Sequence, residues 1–167
     1  FWFSAVESEV YALAMFFLAS TFWLGLRWEK DFYTERGDKW LVLISFMIGL
    51  SFGVHFMAIL TIPAIGMIYY FKKYKKITIK NFLFANIISV SILLFIFKLL
   101  LPSTLGFFGQ LEVFFVNSIG LPFNSGTIIA AILVILFFYK ALNYSRKKGK
   151  VNLNTLILCT LFIFVGF

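Results

Sequence analysis

The sequence predicts an all-α fold, a polytopic transmembrane helical bundle with about six spans. Three observations carry this. Of the 167 residues, 62% are hydrophobic and only 13% charged, and the mean hydropathy is +0.97, values that belong to membrane proteins and not to soluble domains. The apolar residues run in long blocks separated by short basic loops. All but one of the 15 Lys and Arg, the exception being Lys98, fall in three such loops, Arg27 to Lys39, Lys72 to Lys80 and Lys140 to Lys150, which is the bias that marks the cytoplasmic side. The net charge of +8 therefore reads as topology and contact with membrane lipids, and no nucleic-acid partner is expected. The single cysteine, Cys159, excludes an internal disulfide and a cysteine metal site. Both ends of the chain lie in apolar stretches, and it reads as an internal fragment of a longer membrane protein.

The elements follow in order. Residues 5–28 make the first span, opened by a capping box of Ser4 and Glu7 and closed by Arg27, Trp28 and Lys30. Trp40 to Phe71 is apolar throughout apart from His55. As one straight helix it would run about 48 Å, well beyond a hydrocarbon core of about 30 Å. Its two flanks are both basic, so the stretch is expected to fold back as two spans, 40–54 and 55–71. Gly49, Ser51 and Gly53 supply small residues for the corner, and His55 sits at it on the outer side. Pro63 bends the second arm, with the Thr61 hydroxyl close by to take up a freed carbonyl. A span at 81–101 is expected to end at Pro102. Segment 103–125 reads as an outer, interfacial piece, because Phe107, Leu111, Phe114 and Phe115 recur at helical spacing beside Gln110, Glu112 and Asn117. Spans 127–142 and 153–167 complete the count.

This topology leaves few ionisable groups facing outward or lying at membrane depth: Glu7, Glu9, His55, Lys98 and Glu112. Such groups are costly in lipid and are candidates for function. Glu7 has a structural role available as partner of the Ser4 cap. Glu9 lies about 200° around the helix from it, so one of the two carboxylates points into the bundle, where it can bind a cation, orient a hydroxyl or act as acid or base. His55 can carry a proton or bond a phosphate or sugar; the plain alternative is a satisfied structural histidine. Lys98 can clamp an anionic lipid headgroup or simply snorkel to the interface. Glu112 reads as a solvated face. No second His or Cys stands near His55, so no metal site is expected, and no nucleotide-binding or nucleophile-elbow motif is present.

Three stretches are similar to a bacterial polytopic membrane family, common in Bacteroidota, long described only as a domain of unknown function. They are Phe1 to Leu13 (FWFSAVESEVYAL), Gly49 to Phe56 (GLSFGVHF) and Asn117 to Gly126 (NSIGLPFNSG), and the terminal Val165 to Phe167 resembles the start of a further family segment. Eukaryotic relatives of that family are protein O-mannosyltransferases. The resemblance implies a GT-C glycosyltransferase of the bacterial inner membrane, which moves a sugar from a polyprenyl-phosphate donor to an acceptor, a protein among the options, on the periplasmic face. No other cofactor is implied. It also implies that the main catalytic acid, in an outer loop, and a His-Pro-Pro-Gly-like segment lie upstream of Phe1. Within this chain Glu9, His55 and Glu7 are then the candidate catalytic residues, and Lys98 the candidate for holding the lipid phosphate. Two other readings stand beside it. A secondary transporter would use broken helices and intramembrane charges in the same way, and a non-catalytic membrane scaffold would need neither.

Overall fold

The computed structural model describes the backbone of residues 2–34, 36–74 and 76–167, and the side chains of all of these except 2–10. The described residues are helical, with no strand among them. The order is α1 (Trp2–Lys30), α2 (Gly37–Ser51), a 3-10 turn (Phe56–Leu60) leading into α3 (Thr61–Lys73), α4 (Ile79–Phe95), a π turn (Ile96–Leu100), α5 (Leu101–Val113), a second π turn (Phe114–Ser118), α6 (Ser125–Lys147) and α7 (Val151–Gly166). Two compact units result, Phe1–Leu93 with Thr155–Phe167, and Leu94–Asn154.

The all-helical class is as expected, but six spans are not found. Among the described residues three helices are long and apolar enough to cross a membrane: Phe56–Lys73, Ile79–Ser118 and Ser125–Lys147. The expected spans that drop out are 5–28, 40–54 and 153–167, and for the last two the cause is length. The 15 residues of α2 and the 16 of α7 reach only about 22 and 24 Å at 1.5 Å per residue, short of a hydrocarbon core of about 30 Å. And Pro102 does not end a helix. Residues 79–118 form one run, in which α4 passes into α5 through a π turn. Proline removes one N–H and crowds the carbonyl four residues back. The helix widens just before it, where the Leu101 N–H reaches back to the Ile96 carbonyl, and just after it the Thr104 hydroxyl donates to the Leu100 carbonyl at 2.6 Å. The expected helix through Phe107, Leu111 and Phe114 is present, as a continuation of this run and not as a separate piece. At the other end of the chain α1 runs from Trp2, so Ser4 lies inside the helix and does not cap it.

The first unit is held by small residues. Ala14, Thr21, Leu24 and Trp28 are buried on α1 at heptad-like spacing, and α1 packs on α2, the 3-10 turn and α3. Thr21 is fully buried, yet its hydroxyl donates to its own helix, to the Phe17 carbonyl at 2.8 Å and the Leu18 carbonyl at 2.9 Å. In lipid there is no hydrophobic drive between helices, so close approach and dispersion decide the packing. The α2–α7 contact shows this. The Thr155 hydroxyl donates to Asp38 at 2.6 Å near the start of both helices. Phe46 meets Phe162 edge-on at 6.2 Å, and Phe52 meets Phe167 at 6.1 Å near their ends. The two helices therefore run parallel. Between these contacts Gly49 and Gly166 face each other. A Cβ on Gly49 would lie 3.0 Å from the Gly166 Cα, and one on Gly166 would lie 2.5 Å from the Phe46 carbonyl oxygen.

Gly49 thus serves a helix crossing, not the corner for which its smallness was first read. Gly53 is in the corner, but a Cβ there meets only the Leu50 carbonyl oxygen at 3.7 Å, an ordinary contact. Replacing Gly49 or Gly166 by Val should therefore cost about 1–3 kcal/mol, the usual range for overpacking, and lower the unfolding midpoint in detergent. Gly53→Ala should leave that midpoint within error of wild type. Equal losses at Gly49 and Gly53 would refute the assignment.

Candidate functional site

The site is built on the corner between α2 and α3. The last turn of α2 tightens: Phe52 N–H bonds the Gly49 carbonyl at 3.1 Å, Val54 N–H the Ser51 carbonyl at 3.0 Å, and His55 N–H the same carbonyl at 2.7 Å. The fully buried Ser51 turns its hydroxyl onto the Ile48 carbonyl at 2.7 Å. His55 itself is extended (φ −165°, ψ 145°) and redirects the chain into the 3-10 turn. At the start of α3 the Thr61 hydroxyl bonds the Ala58 carbonyl at 2.7 Å, which is not the carbonyl that a proline at 63 would free. Pro63 falls in the first turn of α3, where its missing N–H has no helical partner to lose.

The backbone of the corner is thus satisfied, and what remains open is the imidazole. His55 is half-buried, and its Nδ1 is enclosed with no hydrogen-bond partner among the described residues. Its ring lies 5.9 Å from that of Tyr11 on α1. Tyr11 was not singled out in the sequence, although it stands one helical turn beyond Glu7 on the same helix face. The backbone of α1 therefore brings position 7 to the corner side of the helix, whereas position 9, about 200° further around, lies on the opposite side. The side chains of Glu7 and Glu9 lie outside the described residues. An unsatisfied buried nitrogen costs free energy unless something bonds it, so this histidine is set up to receive a donor or an acid.

Lys98 lies elsewhere, in the second unit. The expectation that it stands one turn before a helix end does not hold, because the helix continues. It sits in the π turn, exposed, with Nζ 5.6 Å over the Phe97 ring. Single π turns inside α-helices recur at functional sites. His55 and Lys98 thus belong to separate units.

Glu112 is not a free solvated face. Its carboxylate accepts the Asn124 N–H at 2.6 Å, the Thr127 N–H at 2.8 Å and the Thr127 hydroxyl at 3.0 Å. These are orphan donors at the start of α6, where negative charge is favoured. The loop is shaped for the approach: Gly120 and Asn124 take positive φ, and a Cβ on Gly126 would lie 2.6 Å from the Glu112 nitrogen. The role is structural, and its signal in the sequence is only a carboxylate separated from a helix start by a turn. Among the described residues no three His, Cys, Asp or Glu side chains gather where a metal ion would bind.

Fold and site together define a helical membrane protein with a broken helical corner carrying an unpartnered histidine. Residues 1–78 match the family model described as TMEM260_N, Protein O-mannosyl-transferase TMEM260 N-terminal domain. The stretches Phe1 to Leu13 and Gly49 to Phe56 fall within the match, while Asn117 to Gly126 falls outside it. Comparison with curated proteins and with solved structures found no match.

The Glu112 geometry yields a direct test. Glu112→Ala should lower the unfolding midpoint of the protein, and Glu112→Gln should lower it less, because the amide keeps one acceptor oxygen. A Gln variant as unstable as the Ala variant would mean that charge alone, and not the bonds to Asn124 and Thr127, holds this joint.

Proposed function

We propose that this chain forms part of a membrane-embedded glycosyltransferase of the O-mannosyltransferase type. It transfers a sugar from a polyprenyl-phosphate donor to an acceptor, a protein in the simplest case, on the face opposite the basic loops. In a bacterial cell that is the periplasmic face of the inner membrane. The observation that carries this is the match of residues 1–78 to the N-terminal domain model of a protein O-mannosyl-transferase. The corner supports it independently, because it lies inside that region and offers an enclosed imidazole nitrogen next to a half-buried helix that carries two carboxylates in sequence.

In this reading His55 and one of the two carboxylates, Glu7 on the Tyr11 face of α1 or Glu9, face the bound sugar. The carboxylate orients or deprotonates the acceptor hydroxyl. His55 bonds the donor phosphate or sugar through the ring nitrogen that has no partner in the protein. Lys98, in the second unit, is a separate candidate for meeting a lipid phosphate by charge.

The test is a transfer assay on the full-length protein, with mannosyl polyprenyl phosphate as donor and a serine- and threonine-rich peptide as acceptor. His55→Ala, and one of Glu7→Gln and Glu9→Gln, should each lower transfer by roughly 10²-fold or more, as expected for loss of an acid–base or positioning group, with folded protein recovered in normal yield. Wild-type rates in all three variants would sink the site assignment. No transfer by wild-type protein, together with solute uptake into vesicles that follows an ion gradient, would replace the whole reading by a transporter.

A further inference from the structure

A second feature of the first unit is not used by this reaction. The end of α1, the start of α2, α3 and α4 line a half-open cavity of about 460 Å³. This lies within the range of small-molecule sites, roughly 300–1,000 Å³. Its body is apolar, walled by Leu41, Ile65, Phe84, Ala85 and Ile88. Polar groups gather toward the basic end. Tyr70 lines the cavity, is only 4% exposed, and its hydroxyl is enclosed without a hydrogen-bond partner among the described residues. Tyr69, also in the wall, stacks on Trp28 at 6.4 Å and accepts a hydrogen bond from Lys73 Nζ at 2.6 Å. Tyr74 and Asn81 line the cavity from either side of a short connection that carries the exposed Lys76 and Lys80. Nearby Lys72 is already paired, to Glu29 at 3.3 Å, so among the described residues here Lys73, Lys76 and Lys80 are the cations left to meet a ligand.

We propose that this cavity holds one acyl chain of an anionic diacyl phospholipid from the leaflet on the basic side. Three levels of the site match three levels of such a lipid. The apolar body takes the chain. The Tyr70 hydroxyl, at the depth where chain gives way to headgroup, donates to an ester carbonyl and so gains its missing partner. Lys73, Lys76 and Lys80 meet the phosphate, as basic clusters beside a membrane helix do with anionic lipids. Trp28 and Tyr69 form the aromatic rim expected at a membrane interface. A neutral lipid would fill the cavity but leave the lysines unmatched, and a free phosphate would leave the apolar body empty.

The experiment is native mass spectrometry of the full-length protein, released from micelles doped with phosphatidylglycerol or phosphatidylcholine. One phosphatidylglycerol per chain should be retained in preference to phosphatidylcholine. Lys73→Gln, at an exposed position, should cut that preference by roughly five-fold, the factor expected for one lysine beside an anionic headgroup. Tyr70→Phe should weaken retention of both lipids, and Ala85→Phe, which fills the cavity, should abolish it while the unfolding midpoint is maintained or raised. Equal retention of the two lipids by wild type would overturn the proposal. So would undiminished phosphatidylglycerol in Ala85→Phe, since the lipid would then sit on the outer surface of the helices, and so would retention of inorganic phosphate alone. Transfer activity is not the readout, so failure here is distinguishable from failure of the glycosyltransferase reading.

Discussion

A peptide group placed in hydrocarbon has no water to bond, and each one left unsatisfied costs several kcal/mol. The structure follows from that constraint. Where the helices are regular the ladder meets it. Where they break, short hydroxyl side chains meet it locally: Ser51 on the Ile48 carbonyl, Thr61 on Ala58 and Thr104 on Leu100. The π turn before Pro102 does the same with a longer backbone bond, Leu101 to Ile96. Irregular backbone is thereby made compatible with membrane depth without any other chain. Against this economy, two enclosed polar atoms without partners among the described residues stand out, His55 Nδ1 and the Tyr70 hydroxyl. One marks the corner and the other the cavity.

The same solvent changes how helices hold one another. Lipid tails are as apolar as the helix surfaces, so burial of Leu or Phe against a neighbour gains little, and the large apolar side chains of α4 and α6 remain outside. Contact is made instead where backbones come close. Gly49 meets Gly166, Gly66 lies against Ser89, and Gly126 lies against Glu112. In each case a hydrogen atom replaces a side chain, so that dispersion acts at short range. The substitution pattern that follows is the reverse of a soluble core: small-to-large changes do harm, and large exposed residues tolerate exchange among apolar types.

Much of this was legible in the sequence, for reasons that can be located. Helical class and membrane character follow from composition and from where the lysines fall. The corner was legible because an apolar stretch too long for one span carried basic residues at both ends. What escaped was set by contacts distant in sequence. Pro102 reads as a stop, since a π turn just before it has no sequence signature of its own. The number of spans was overcounted because apolar stretches of about 15 residues were counted as spans, and α2 and α7, at 15 and 16 residues, are no longer than that. The work of Glu112 depends on donors 12 and 15 residues away, and that of Gly49 on a helix more than a hundred residues further along. Tyr11 beside His55 was not anticipated, because a single tyrosine on an apolar helix gives no sign of which neighbour it will meet.

One helix links the two open polar atoms. The candidate span Phe56–Lys73 has 18 residues, about 27 Å of helix at 1.5 Å per residue, close to the thickness of a hydrocarbon core of about 30 Å. His55 precedes its first residue, and Tyr70 lies within its last turn. If the helix crosses the membrane, the imidazole and the cavity stand at opposite interfaces and cannot serve one ligand. The division has a physical logic. A lipid bound by Tyr70 and Lys73 would fix the depth of this helix at one interface, and the helix, being rigid, would transmit that depth to the corner at the other. Precise placement of His55 would then depend on an anchor that takes no part in the chemistry, as an outer ring of supporting contacts commonly does for reacting groups.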